Sequence, residues 1–323
     1  NMCQWNAEYY GITEKDGITK YAGFGFDASV WEIFPTLISG AALHVIPEAM
    51  KLDLDKLNDY YNDNGITLSF LPTQIAEQFM KLDNHSLRCL QAAGDKLRSF
   101  QERTYTVVNN YGPTENTVVA SCFVIDKEYD NIPIGKPTGN TQLYILDRNN
   151  RLQPVGIPGE LCIGGIGLAR GYLNNEPLTA EKFITHPFKK GQRLYKTGDL
   201  ARWLPDGNIE FLGRIDQQVK IRGFRVELGE IESSLLKLEG IQEAVVLDRG
   251  EAGNKYLCAY LVSGIEHSPR WLREELKKSL PDYMIPSYFV MLPEIPLNQN
   301  GKIDRKALPV PYDSMEMGEE YVA

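Results

Sequence analysis

Apolar residues recur at helical spacing over residues 52–64 and 73–82 and through WEIFPTLISGAAL, residues 31–43. Between and after these stretches lie short runs rich in β-branched and aromatic residues: LSFL (68–71), TYTVVNNY (104–111) and TQLYILD (141–147). Strands alternating with helices predict an α/β core. From about residue 130 the pattern changes to short apolar runs punctuated by glycine and proline, as in PIGKPTGN, GIPGELCIGG and LPDGNIEFLG, which predicts a β-rich subdomain packed on that core. ARWLPDGNIEFLGRID (201–216) reads as a hairpin with its turn at Asp206-Gly207. It runs into QQVKIRGFRVELGEIESSLLKL (217–238), a basic strand, a turn at Gly223 and an amphipathic helix. EAVVLDR, KYLCAYLV and a helix from Pro269 to Ser279 complete a small α+β unit with its own core, so a boundary is expected near Asp216. The proline-bearing, then acidic end VPYDSMEMGEEYVA reads as a linker. The expected organisation is therefore a core over 1–215, a small domain over 216–308 and a linker over 309–323.

A length of 323 residues exceeds what one hydrophobic core usually organises, in keeping with two domains. No apolar run approaches the roughly 18 residues of a membrane helix, and NMCQWNAEYY at the start lacks the basic flank and apolar stretch of a signal peptide. A cytoplasmic protein that engages no membrane is expected. Five scattered cysteines without a CxxC pair, and four isolated histidines, argue against a disulfide framework or a zinc site. A net charge of −9 excludes the broad positive footprint of a nonspecific nucleic-acid binder. Local cation clusters suited to an anion remain: Arg214, Lys220, Arg222 and Arg225, then Lys302, Arg305 and Lys306.

Several segments carry candidate chemistry, and each has a plainer reading. GELCIGGIGLARGY contains a Gly-Ile-Gly after a strand, but the next glycine is one residue late for a dinucleotide fingerprint, so a tight turn between β elements is the better account. NNYGPTEN (109–116) follows a strand in the place where open α/β sheets bind ligands; Tyr111 offers a stacking ring and Glu115 a hard-cation ligand, while a turn and helix cap would use the same residues. Asp199 in YKTGDLARW suits a ribose diol or a structural cap. Asp27 in FDASVWEIF stands where a helix begins, with Trp31 one turn later, so an N-cap with a core tryptophan competes with a binding role. Lys302 leaves the Asn300-Gly301 turn in IPLNQNGKIDRKALPVP, where surface solubility is the plain explanation.

Taken in order and spacing, FDASVWE, NNYGPTE, GELCIGGIGLARGY, YKTGDLARW, GRIDQQVKIRGFRVELGEIE, LPDYMIP and NQNGKIDRKAL closely resemble the successive core motifs of nonribosomal peptide synthetase adenylation domains, of the adenylate-forming superfamily. The resemblance covers essentially the whole chain. It implies an enzyme that activates an amino acid with Mg-ATP to an aminoacyl adenylate, releasing pyrophosphate, and then passes the acyl group to the phosphopantetheine thiol of a peptidyl carrier domain. It implies that Asn109 and Tyr111 meet the adenine, Gly94 belongs to the ATP site, Thr114 lies near the α-phosphate, Glu115 holds Mg2+, and Asp199 with Arg214 holds the ribose. Asp216 matches the hinge of a mobile C-terminal domain, Gly223 the loop lining the thiol's path, and Lys302 the catalytic cation. Asp27 matches the residue pairing with the substrate's α-ammonium, and the side-chain pocket would comprise Ala28, Trp31, Gln74, Gln91, Ala93, Asn110, Val118 and Val119. Amides mixed with aliphatics suggest a neutral, medium-to-large side chain.

The family's Ser/Thr/Gly-rich phosphate loop has no counterpart in this sequence and is expected before residue 1, so the chain looks like the C-terminal two thirds of such a domain. ALPVP followed by EEYVA resembles the linker into a carrier domain, and a condensation domain is expected upstream in the same polypeptide. An acyl- or aryl-CoA ligase of the same superfamily, and a non-catalytic scaffold fragment, are the competing readings.

Overall fold

The computed structural model describes residues 1–215, 219–221, 224–250, 255–296 and 303–311. Two compact units emerge, Asn1–Asp216 and Gln217–Ala323. Asp216, Arg222, Gly223 and Lys302, together with the Asn300-Gly301 turn, lie outside the described residues.

In the first unit, α1 (Met2–Tyr9), β1 (Gly17–Lys20), α2 (Ala28–Ile38), β2 (Ala42–Val45), α3 (Leu54–Asp63), β3 (Ile66–Pro72), α4 (Thr73–Phe79), β4 (Cys89–Ala93), β5 (Thr106–Tyr111), β6 (Ser121–Ile125) and β7 (Lys136–Pro137) follow one another. The strands form one sheet in the order β2-β1-β3-β4-β5-β6-β7. Pairing is parallel from β2 through β5 and antiparallel for β5–β6 and β6–β7. β3 is buried along most of its length, as a central parallel strand covered on both faces must be. α3 buries Leu57 and Tyr61, one turn apart, and leaves its charged face to water. Because β1 is flanked by β2 on one side and β3 on the other, the loops leaving β1 and β3 diverge. The carboxyl ends of these two strands form the topological switch point of the sheet, the usual ligand position in open α/β sheets.

β8 (Thr141–Leu146), β9 (Gly159–Gly165), α5 (Glu176–Lys182), β10 (Phe183–Thr185), β11 (Arg193–Trp203) and β12 (Ile209–Arg214) build a second, antiparallel sheet, ordered β10-β11-β9-β8 with β12 on β11. The change of texture near residue 130 does not coincide with this sheet. Residues 136–137 still belong to the first, paired with β6, and the second begins at Thr141. The hairpin turns at Gly207, φ +80°, and β9 ends at Gly165, φ +121°, where a Cβ would lie 2.2 Å from the Asn140 carbonyl. No helix follows Gly165 until Glu176, which removes the dinucleotide reading.

The second unit contains β13 (Val219–Ile221), β14 (Phe224–Val226), α6 (Leu228–Leu235), β15 (Ile241–Arg249), β16 (Tyr256–Ser263), α7 (Pro269–Leu276) and β17 (Tyr288–Met291). β13 and β14 pair as a hairpin, and β15-β16-β17 form a sheet. α7 stops at Leu276, short of the expected Ser279. One core joins Val246, Leu257 and Leu261 to Ile231, Leu235 and Leu272; another holds Val245, Tyr260, Val290 and Leu308. Arg249 and Tyr260 donate to the carbonyls of Leu308 and Pro309, at 2.9 and 2.7 Å, fixing that stretch to its own unit. All five cysteines are free, and among the described residues no helix is long and apolar enough to cross a membrane.

Candidate functional site

The loop between β1 and α2 carries Asp27 past the carboxyl end of β1. Asp27 occupies the N-cap position of α2, yet its backbone is already helical and its side chain makes no capping hydrogen bond. Its Oδ2 instead accepts from the Thr114 hydroxyl at 2.7 Å. The capping reading therefore fails for the side chain, and the contact joins the start of α2 to the YGPTE loop. One turn on, Trp31 is 3 % exposed and packs on Phe70, with ring centres 5.2 Å apart. Around them gather Ala28, Ala93, Val118 and Val119. Gln91 and Asn110 are buried nearby in the sheet, and Gln74, the second residue of α4, is half-buried. Asn110 Oδ1 accepts from the Tyr10 hydroxyl at 3.1 Å.

The YGPTENTVV loop is held under backbone strain. Thr117 and Val118 adopt φ of +54° and +70°, costly for β-branched residues. Gly112 makes the conformation feasible, since a Cβ there would come within 2.1 Å of the Val118 carbonyl. The result is that Val118 and Val119 are presented to the apolar cluster while Thr114 and Glu115 project from the same loop.

A second group lies on the opposite face of β5, because consecutive strand residues point to alternate sides. Tyr111 donates to Oδ2 of Asp199, while Arg214 donates to Oδ1 at 2.8 Å and to the Thr197 carbonyl at 2.9 Å. Register pairing of Asp199 with Arg214 across β11 and β12 sets this ion pair. Burial pushes the Tyr111 phenol well above its ordinary range, and the Asp199 carboxylate adds to that, so the phenol stays a donor. Each carboxylate oxygen has a second lone pair with which to accept from a diol. Asn109 donates to the Pro133 carbonyl at 2.8 Å. Gly94, at φ +104° just past β4 with open space around it, permits close approach to the backbone.

Glu115 Oε1 accepts from the Tyr172 and Tyr195 hydroxyls at 2.6 and 2.8 Å. Sequence reasoning missed these two tyrosines, although both stand inside quoted motifs; nothing in spacing shows that residues 57 and 80 positions away meet one carboxylate. Among the described residues no group of three or more metal-ligating side chains occurs. A magnesium ion here would therefore take Glu115 together with phosphate and water oxygens, a donor set that suits Mg2+. The first cation cluster does not offer a free guanidinium at Arg214, which is paired with Asp199.

Glu32 was also missed. It lies one residue after Trp31, buried, and its carboxylate accepts from the backbone N–H groups of Tyr21 (2.7 Å) and Ala22 (3.0 Å), bracing the loop that delivers Asp27. Burial pushes Glu32 from its ordinary 4.5 up to about 7, against the pull of those two amides and of Lys20 and Lys51. Between these values the folded state binds more protons than the unfolded one. Stability accordingly falls as pH rises from 4.5 to about 7, by about 3 kcal/mol for this group, and levels off above. Urea-unfolding midpoints of wild type and Glu32→Gln across that window test this: the substitution is expected to remove that slope, and parallel pH profiles would contradict it.

The comparisons with known proteins agree with one another. A family model described as AMP-binding enzyme matches residues 1–173, and one described as AMP-binding enzyme C-terminal domain matches residues 230–302. The chain is 56 % identical over 324 residues to Bacitracin synthase 1 of Bacillus licheniformis, with 100 % of the chain aligned to 6 % of that protein. Among solved structures, an artificially fused adenylation-PCP di-domain from Klebsiella oxytoca superposes with a TM-score of 0.77 at 27 % identity, over 89 % of this chain and 56 % of that one. The Vibrio cholerae adenylation domain AlmE, in complex with glycyl-adenosine-5'-phosphate, gives 0.80 at 26 % identity, over 93 % of this chain and 60 % of that one. The chain thus spans a small part of its curated relative and little more than half of these solved neighbours.

Proposed function

This chain belongs to the AMP-binding enzyme family, among the adenylation modules of nonribosomal peptide synthetases, and we propose that within its complete polypeptide it activates an α-amino acid with ATP as the aminoacyl adenylate. The observation that carries this reading is Asp27, a carboxylate at a helix start that leaves its own helix uncapped and turns to Thr114 beside the apolar cluster around Trp31. A half-buried carboxylate so placed receives an α-ammonium through a charge-assisted hydrogen bond, which an aryl or fatty acid lacks.

Asp199, with its anchors Tyr111 and Arg214, would receive the ribose hydroxyls, and Glu115, oriented by Tyr172 and Tyr195, would hold Mg2+. The metal neutralises phosphate charge when bound. Thr114, bonded to Asp27 and adjacent to Glu115 in the chain, would face the α-phosphate. Ala28, Trp31, Gln74, Gln91, Ala93, Asn110, Val118 and Val119 would shape the side-chain pocket, with Asn109 and Gly94 towards the adenine. Lys302 supplies the cation for the chemical step, Asp216 the pivot of the second unit and Gly223 the thiol's path. The acyl group would then pass to phosphopantetheine on a peptidyl carrier domain after this chain, with a condensation domain upstream. Free cysteines suit a reducing cytoplasm.

ATP–pyrophosphate exchange by the complete polypeptide across amino, aryl and fatty acids is the test. Exchange is expected with an α-amino acid and absent with the others. Asp27→Asn is expected to raise the amino-acid KM by about 100-fold with the ATP KM little changed. Exchange with an aryl or fatty acid, or an indifferent Asp27→Asn variant, would move the chain to another branch of the family.

A further inference from the structure

Within the proposed pocket one polar group is left over. Gln91 is 6 % exposed, and its Nε2 is buried without a hydrogen-bond partner. Leaving a buried amide donor unpaired is costly, so such a group calls for an explanation. Its position supplies one. Gln91 pairs in register with Phe70 on β3 and Val108 on β5, so the three side chains share one face of the sheet. Phe70 is the ring against which Trp31 packs, and Ala93, two residues along β4 on the same face, joins that apolar cluster. The carboxamide therefore lies on the sheet face that carries this apolar cluster.

We infer that Gln91 is the specificity-determining residue of this pocket and selects an amino acid with a carboxamide side chain, asparagine or glutamine, pairing amide to amide. This rests on the adenylation reading above. A carboxamide has one carbonyl acceptor and one N–H2 donor, so it answers the Gln91 amide whichever way that group is turned. An aliphatic substrate leaves the Gln91 donor unpaired. A carboxylate substrate needs a counter-charge. Lys20, a buried cation on the same sheet face two residues beyond Ile18, is already engaged: its ammonium donates to the Ala22 carbonyl, lies 3.8 Å from the centre of the Phe24 ring and acts on the Glu32 carboxylate.

The test is ATP–pyrophosphate exchange by the complete polypeptide with all twenty amino acids, repeated for Gln91→Leu, a near-isosteric apolar replacement. Wild type is expected to prefer asparagine or glutamine. In Gln91→Leu, kcat/KM for that substrate is expected to fall about 100-fold, activity with leucine or methionine to rise relative to it, and the ATP KM to hold steady, which also shows the variant is folded. Fastest wild-type exchange with an apolar or charged amino acid, or an unchanged preference in Gln91→Leu, overturns the inference and leaves adenylation standing. No exchange with any amino acid overturns both.

Discussion

Asp199→Ala is expected to cost the first unit about 3 kcal/mol of stability and to raise the KM for ATP, the two effects having different causes. The side chains of Asp199 and Arg214 are 8 % and 16 % exposed, so their pair lies in a poorly solvated place, and removing the anion leaves the guanidinium without the charge that offset its desolvation. Tyr111 simultaneously loses the acceptor for its hydroxyl. Asp199→Asn separates the two contributions. The amide keeps an acceptor and the shape but drops the charge, so it is expected to recover part of the stability while ATP binding stays weak. Chemical denaturation gives the first quantity and exchange kinetics the second. An Asp199→Ala protein as stable as wild type would mean that the ion pair is better solvated than its burial indicates, and an unchanged ATP KM would remove Asp199 from the nucleotide site.

Lys302→Ala is expected to lower amino-acid-dependent pyrophosphate release by about two to three orders of magnitude, the usual loss when a group stabilising transition-state charge is removed. In the proposed reaction a carboxylate approaches an already negative α-phosphate, and negative charge moves onto the departing pyrophosphate. A cation between them offsets the repulsion, more strongly the less water is present. Transfer of the acyl group from preformed adenylate to the carrier thiol involves no such meeting of anions, so that half-reaction is expected to suffer far less. Lys302→Arg keeps the charge on a bulkier head and is expected to recover only part of the rate. Wild-type pyrophosphate release from the alanine variant would end the case for this residue.

What the sequence determined by itself was local. Spacing of apolar residues fixed the α/β class, the helices near 54–63 and 73–79, the central strands and the Asp206-Gly207 hairpin, because the periods of helix and strand and the demands of a tight turn are properties of neighbouring residues. Motif order was enough to identify the family. Partnerships across the chain were decided by the tertiary structure alone. Thr114 meets Asp27 from 87 residues away, Tyr111 meets Asp199 from 88, and Tyr172 meets Glu115 from 57. Only sheet order and register bring such groups together. That is also why the N-cap reading of Asp27 failed: local statistics assign a carboxylate at a helix start to its own helix, and here a hydroxyl from a distant loop took it. The unpaired amide of Gln91 belongs to the same class, since a polar residue in a strand reveals nothing of its partners until the facing side chains are in place.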